Sequence, residues 1–445
     1  MLNRLARKLS ILDYFSLGWG TMVGVGWLVV MDDWLLRGGP LGGILGFAIG
    51  GLLLLPIGFV YGRWVMTMPD AAGEVAYTAK VFPRPVSFYT GWMMMLAYFI
   101  VCPWEAVAVG RLAGFIFPAL NRLELYRISG KPVYLPHLLI GLGLTAMVTI
   151  VNYRGIRLSA TFQNWTTFGT LALFIIFVGI GVTRGSPANF PPLFTRTPLV
   201  SILLVLQIVP YFMTGFESVT KAAEEANPNF RAHGFSRVIF SSIMVGFVFY
   251  IVVIAAVAFV APWRQLTEAP FMTAVAFEHA TGARWIVSII MSAALLSLFK
   301  VFNGNFVAAS RLLFAMARRG LLKQQLAAIH PDNHTPSAAV VATGIATALC
   351  MFLGAAILVP ISEVGSVASA LGWFAVCAAF LFTQPGTRDY TIALLGAIVG
   401  LAMVLMKFLP FVPGHFSGWE WLTLAIWIVL GTLIGHPRTT PDDKT

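Results

Sequence analysis

Ten stretches of this chain, each 17 to 28 residues long, contain no Asp, Glu, Lys or Arg: 14–31, 38–62, 85–104, 132–153, 158–183, 197–216, 238–263, 335–362, 364–387 and 421–437. Two more, 285–310 and 390–419, are interrupted by one lysine each, Lys300 and Lys407. A helix crosses the hydrocarbon core of a bilayer with about 20 mostly apolar residues. The expected fold is therefore an all-α integral membrane protein of about 12 transmembrane helices, with no soluble domain. Charged residues make up 11% of the chain, against roughly 25% in soluble proteins. This excludes a soluble enzyme, a nucleic-acid-binding protein and a secreted disulfide scaffold as main readings.

The net charge of +11 reflects topology rather than nucleic acid. With the N-terminus (Arg4, Arg7, Lys8) placed in the cytosol, 18 basic residues fall on the cytosolic side, 10 outside and Lys300 within a span. That is the positive-inside bias, and it puts both termini in the cytosol of a multi-pass cell-membrane protein. One outer loop goes against it: Arg122, Arg127 and Lys131 crowd there, partly offset by Glu124. Cys102, Cys350 and Cys377 all lie in spans, which leaves no loop disulfide and no metal-ligand spacing. The first apolar run is too long for a cleavable signal and is followed by others. The tail from His436 to Thr445 is short and is expected to be disordered. No Walker motif is present, so no cofactor and no ATP-binding subunit is expected.

Two spans carry helix-breaking sequence at mid-membrane depth. Span 1 reads Gly18-Trp19-Gly20-Thr21-Met22-Val23-Gly24-Val25-Gly26, and span 6 reads Pro210-Tyr211-Phe212-Met213-Thr214-Gly215-Phe216-Glu217. Close packing explains any single glycine, but four within nine residues weaken a helix at one depth. The second break follows five spans after the first. An odd number of spans inverts a repeat, and paired broken segments in matching positions point to an inverted-repeat transporter. The expected organisation is a single transporter domain over 1–445, with repeats at about 14–183 and 197–387 and extra helices over about 390–437.

Unwound backbone inside a membrane is tolerated where it lines a cavity. Free N–H groups at a half-helix N-terminus suit a carboxylate, and free C=O groups at a C-terminus suit an ammonium. Facing breaks thus offer both partners a zwitterion needs. The candidate donors are the amides of Val23, Gly24, Val25 and Gly26. The candidate acceptors are the carbonyls of Thr21, Met22, Phe212 and Met213. Tyr211, Thr214 and Gly215 complete the candidate binding set, with Phe212 and Phe216 as covering side chains or as plain packing.

These residues resemble the amino acid–polyamine–organocation superfamily over nearly the full length. Gly20–Gly26 is similar to its helix 1 break. Tyr211–Glu225, followed by Asn227-Pro228, is similar to its helix 6 signature. Ser310–Arg318, then Gly320, His330-Pro331 and Thr335-Pro336, is similar to the segment after its helix 8. The resemblance implies a 5+5 inverted-repeat core with discontinuous helices 1 and 6. It also implies secondary transport of amino acids or related amines by alternating access. The major facilitator arrangement would need a Gly- and Arg-rich segment between spans 2 and 3, and Met68–Tyr77 lacks one. Departures from the family pattern fall at Arg63, at Ala71-Ala72-Gly73 and at Arg319. A polyamine transporter, or a non-transporting membrane sensor on the same fold, stands as the alternative.

Three buried charges stand out. Lys300 lies mid-span in Leu296–Gly304, too deep to snorkel easily. In sodium-coupled relatives, helix 8 supplies hydroxyls to a cation site against the helix 1 break. By that resemblance the hydroxyl positions fall at Lys300 and Val301. The expectation is that the Lys300 ammonium replaces sodium near the first break, giving sodium-independent transport by proton coupling or exchange. The competing reading pairs Lys300 structurally with Glu105 or Glu217. Glu105, in span 3, would hold a substrate amine, relay a proton or pack against a neighbouring helix. Glu217, at the end of the span 6 break, reads as a cap or gate. Asp32 and Asp33 read as a solvated helix end, and Glu363, beside Pro360, as interfacial. His330 and His334 suggest a metal only superficially, because the family signature already accounts for that turn.

Overall fold

The computed structural model describes residues 5–435 apart from 129 and 270, with backbone alone over 355–361. Arg4, Pro360 as a side chain, and the tail from His436 lie outside that description. The chain folds into membrane-length helices and one small hairpin. Among the described residues, nine helices are long and apolar enough to cross a membrane. Spans 1 and 6 are absent from that set because each is broken. Span 12, α18 (Gly418–Ile434), is absent because it has 17 residues.

Span 1 begins at a capping box in which the Ser10 amide donates to Asp13 Oδ2 at 2.7 Å. It consists of α1 (Ile11–Met22), a non-helical link and α2 (Gly26–Val29). α3 (Met31–Thr67) joins the end of span 1 to span 2 through a kink at Gly39 (φ 68°), where a Cβ would lie 2.7 Å from the Leu193 carbonyl oxygen. Pro40 then starts the second helical stretch, its ring pre-set for a first turn. α4 (Glu74–Ala79) lies between spans 2 and 3. Span 3 is α5 (Arg84–Phe99) followed by α6 (Val101–Ile116), and spans 4 and 5 are α7 (Leu135–Arg154) and α8 (Ile156–Arg184). Span 6 comprises α9 (Pro198–Leu206), α10 (Val209–Met213) and α11 (Ser218–Lys221). Spans 7 and 8 are α12 (His233–Val260) and α14 (Arg284–Arg318), with α13 (Met272–Thr281) between them. α15 (Ser337–Cys350), α16 (Leu358–Leu381) and α17 (Thr387–Phe408) form spans 9, 10 and 11.

On the face opposite the N-terminus, β1 (Glu124–Ile128) and β2 (Lys131–Tyr134) form an antiparallel hairpin, pairing Arg127 with Pro132. α14 runs through the centre, against α1, α6 and α8, while α3 packs on α12 and α9. Its buried face carries Ser297, Lys300, Asn303, Asn305 and Arg311. A polar stripe in a buried span is stable only if every group on it finds a partner.

Candidate functional site

Both breaks are narrower than the sequence suggests. In span 1 the helix persists through Gly18 and Gly20 to Met22, and only Val23–Val25 leave it. Gly18 and Gly20 serve packing: a Cβ at Gly20 would lie 2.4 Å from Gln163 Nε2, and one at Gly18 2.8 Å from Ser242 Oγ. In span 6, Pro210 does not break the chain. It occupies the first turn of α10, where its missing N–H costs nothing. The unwinding comes later, at Thr214–Glu217, with Gly215 at φ 138°. A Cβ on Gly215 would lie 2.6 Å from the Met22 nitrogen. The two breaks therefore touch backbone to backbone.

The freed carbonyls already have partners. Asn305 Nδ2 donates to the Thr21 oxygen at 3.1 Å. The Tyr250 hydroxyl lies 3.1 Å from the Met22 oxygen and 3.1 Å from the Phe212 oxygen, so one side chain bridges both breaks. Ser297 Oγ donates to the Gly24 oxygen at 2.8 Å. The Lys300 ammonium donates to the Val23 oxygen, lies 3.2 Å from Ser297 Oγ and sits 4.7 Å above the Trp19 ring. The Val23 amide is not free either, since it closes α1 onto the Trp19 oxygen at 3.0 Å. Glu105 is buried against the break, where a Cβ on Gly24 would lie 2.8 Å from its Oε1, and it is within electrostatic reach of Lys300. Of the two structural partners weighed for Lys300, the fold brings up Glu105 and not Glu217.

Glu217 is fully buried on the far side of the span 6 break. It accepts a hydrogen bond from the Gly215 amide at 3.1 Å and faces the Tyr98 hydroxyl. Thr214 bonds Ser369, and the Tyr211 amide donates to Ser366 Oγ at 3.2 Å, so span 10 braces this break.

Between the breaks lies a cavity of about 20 Å³, enough for a water molecule. Thr21, Met22, Gly24, Gly26, Tyr211, Phe212 and Thr214 line it, together with Val101, Trp104, Glu105 and Val301. Five of the sequence candidates stand outside the lining: Val23, Val25, Met213, Gly215 and Phe216. Phe216 is buried against Trp373 and Tyr61, with ring centroids at 5.6 and 5.7 Å. Phe212 does cover the cavity, stacked edge-on against Trp34 at 4.8 Å. Tyr250, Asn305 and Ser297 are contributors that the sequence reading passed over. Their only signal was polarity inside apolar spans, with Ser297 one helical turn from Lys300.

Ion pairs cluster on both faces of the bundle. On the N-terminal face, Lys221 pairs with Glu74, which also accepts from the Tyr61 hydroxyl at 2.9 Å. Arg311 pairs with Glu225 at 3.0 Å, and the Glu225 carbonyl accepts from the Lys8 amide at 2.8 Å. The family departures lie on this face: Arg319 pairs with Asp70 at 2.6 Å and Arg63 with Asp389 at 2.6 Å, while Ala72 stands beside Gly73 (φ 47°), which leaves room for the Lys221 ammonium. On the opposite face, Arg37 binds Asp33 at 2.7 Å and Glu363 at 2.9 Å, and Lys407 also binds Glu363. Glu363 is thus buried and paired rather than interfacial, because the kink at Gly39 and the packing of α17 bring two cations onto it. The His330 ring accepts from the Asp332 and Asn333 amides at 3.2 Å each, which makes it a turn cap.

Two interrupted helices meeting backbone to backbone beside a small buried cavity, in a chain of membrane-length helices, define a multi-pass membrane permease. Over residues 9–434 the sequence matches the amino acid permease family, and the chain belongs to that family, within the amino acid–polyamine–organocation superfamily. It is 27% identical to the methylthioribose transporter of Bacillus subtilis, over 97% of this chain and 93% of that one. It is 25% identical to the branched-chain amino acid permease BcaP of the same organism, over 97% and 92%. It is 26% identical to the vacuolar cationic amino acid transporter 4 of Arabidopsis thaliana, over 85% of this chain and 63% of that one.

Proposed function

We propose that this permease carries amino acids across the cell membrane by alternating access, without sodium. Both termini lie in the cytosol, as the basic residues favour. The repeats run over about 14–183 and 197–387, with helices 11 and 12 outside them. The observation that carries the reading is the Lys300 side-chain nitrogen donating to the Val23 carbonyl, which places a basic group against the backbone of the first break where a cation would otherwise sit. A substrate between the breaks meets the Gly24–Gly26 backbone and Glu105 at one end and Tyr211, Phe212 and Thr214 at the other. Glu105 lies against that backbone and close to Lys300, so proton movement on this pair is coupled to the break itself, by symport or exchange. In a cavity of about 20 Å³ no amino acid fits, so the two ion-pair clusters act as seals, one of which opens for it to enter.

A second reading comes from the relative named a methylthioribose transporter. Glu105 already lies against the backbone at Gly24, where a substrate carboxylate would otherwise sit, and this favours a neutral or amine-bearing substrate. Proteoliposome uptake decides between them. The panel contains radiolabelled L-amino acids (leucine, valine, alanine, arginine), spermidine and methylthioribose, each under an inward proton gradient or an inward sodium gradient. The expected result is uptake of an L-amino acid that needs no sodium. Strict sodium dependence overturns the role of Lys300. Uptake of spermidine or methylthioribose alone overturns the substrate class, and binding without flux favours a sensor.

A further inference from the structure

The hairpin that goes against the positive-inside bias lines a second cavity. Of its basic residues, Arg127 is bound to Glu124 at 2.6 Å. Lys131, at the start of β2, instead lines an open cavity of about 480 Å³. Arg111, His137, Asn121 and Tyr134 share that cavity, closed on one side by Phe115 and Phe271, whose rings meet edge to face at 4.8 Å. This volume is typical of a small-molecule site, at about 300–1,000 Å³. No acid is among its lining residues. Neither Arg111 nor Lys131 has a carboxylate within salt-bridge distance among the described residues, and His137 Nε2 is buried without a hydrogen-bond partner. Asp32 is the acid whose charge reaches both cations. Both cations are exposed at the mouth of this open cavity.

Arg111 follows Trp104 by seven residues on span 3, two helical turns, so it occupies the same face about 10 Å further out. Trp104 lines the central cavity. One helix face therefore carries an outer cationic station and the inner site. The station combines two cations, an imidazole and an aromatic wall, the complement of a carboxylate attached to an apolar side chain.

We propose that this outer cavity is a second recognition site, which captures the carboxylate of an amino acid between Arg111 and Lys131, with its side chain against Phe115 and Phe271, before it passes inward. The inference rests on the amino-acid reading above, and its test is separable from it. The probe is the radiolabelled L-amino acid with the fastest uptake in the panel, measured by equilibrium binding to the full chain in nanodiscs and by uptake into proteoliposomes. Wild type is expected to bind two molecules per chain. Arg111→Gln with Lys131→Gln is expected to bind one and to raise the KM of uptake about tenfold, the scale of losing charge-assisted hydrogen bonds. Arg111→Lys is expected to keep both molecules. Lys131→Gln alone, on an exposed hairpin where folding is not at stake, is expected to raise KM by a smaller factor. One molecule per wild-type chain, or a KM unmoved in both Lys131→Gln and the double variant, overturns the outer site and leaves the transport reading intact. Absence of any amino-acid uptake overturns both.

Discussion

Gly215 is the residue on which the meeting of the two breaks depends. Its φ of 138° lies where an L side chain is strained, and a Cβ there would press on the Met22 nitrogen from 2.6 Å. Backbone strain of that kind costs about 1–3 kcal/mol, and neither break can retreat, because Tyr250 bonds both. Gly215→Ala is therefore expected to lower the thermal unfolding midpoint and to abolish uptake; near-wild-type values of both would show that the breaks do not need this contact. Lys300 makes a different prediction. Lys300→Met keeps the bulk but removes the main donor to the Val23 carbonyl, which is left with Ser297 Oγ at 3.3 Å, at a cost of about 1–3 kcal/mol. Uptake is expected to be lost, and sodium is expected not to restore it, since the methionine side chain still fills the place of a cation. Recovery of uptake by sodium would mean that the lysine is not the basic group that stands where a cation would sit.

Among the elements, span 7 does work that no sequence motif announced. Tyr250 reaches from α12 to the Met22 and Phe212 carbonyls at 3.1 Å each, so α1 and α10 are tied to one side chain. Tyr250→Phe removes the one hydroxyl proton that the two carbonyls share, at a cost of about 1–3 kcal/mol. The expected outcome is a lower unfolding midpoint with cavity-lining residues newly exposed to thiol reagents; an unchanged midpoint would mean that other donors replace it. The same element explains what was legible. Span number and order follow from uncharged runs, because burying one charge in lipid outweighs most local preferences. The break in span 1 follows from glycine density, and that in span 6 from its position five spans later. The boundaries of the breaks were not legible, because Gly18 and Gly20 stay helical to let Ser242, Gln163 and Thr167 approach, and Pro210 sits harmlessly in a first turn. Whether a glycine loosens a helix or merely makes room is decided by its neighbours in space. Tyr250 was missed for a related reason: a tyrosine in an apolar span reads as packing until its hydroxyl is seen to bridge two carbonyls. Glu363 was misjudged because its partners Arg37 and Lys407 are distant in sequence and meet only after α3 kinks at Gly39.

At the scale of the molecule, the two seals are built differently. The N-terminal seal joins the chain start, α4, the end of span 6 and the end of span 8 through Lys221–Glu74 and Arg311–Glu225, all four side chains fully buried. The opposite seal joins the end of span 1 to spans 10 and 11 through Arg37, Glu363 and Lys407, partly open to solvent. A buried ion pair adds little net stability, but losing one partner leaves an uncompensated charge and costs about 3–5 kcal/mol. Lys221→Met alone is therefore expected to destabilise strongly, and Lys221→Met with Glu74→Gln much less, with the N-terminal face unlatched. The readout is a cysteine at Thr214, which lines the central cavity, in a chain whose native cysteines are replaced. With the N-terminal seal removed, an impermeant thiol reagent is expected to label it from the N-terminal face. With Arg37→Gln and Glu363→Gln instead, labelling is expected from the opposite face. Alternating access requires that either seal alone suffice to keep one side shut, so labelling from both faces in either variant would show a pore where the two networks predict a pair of gates.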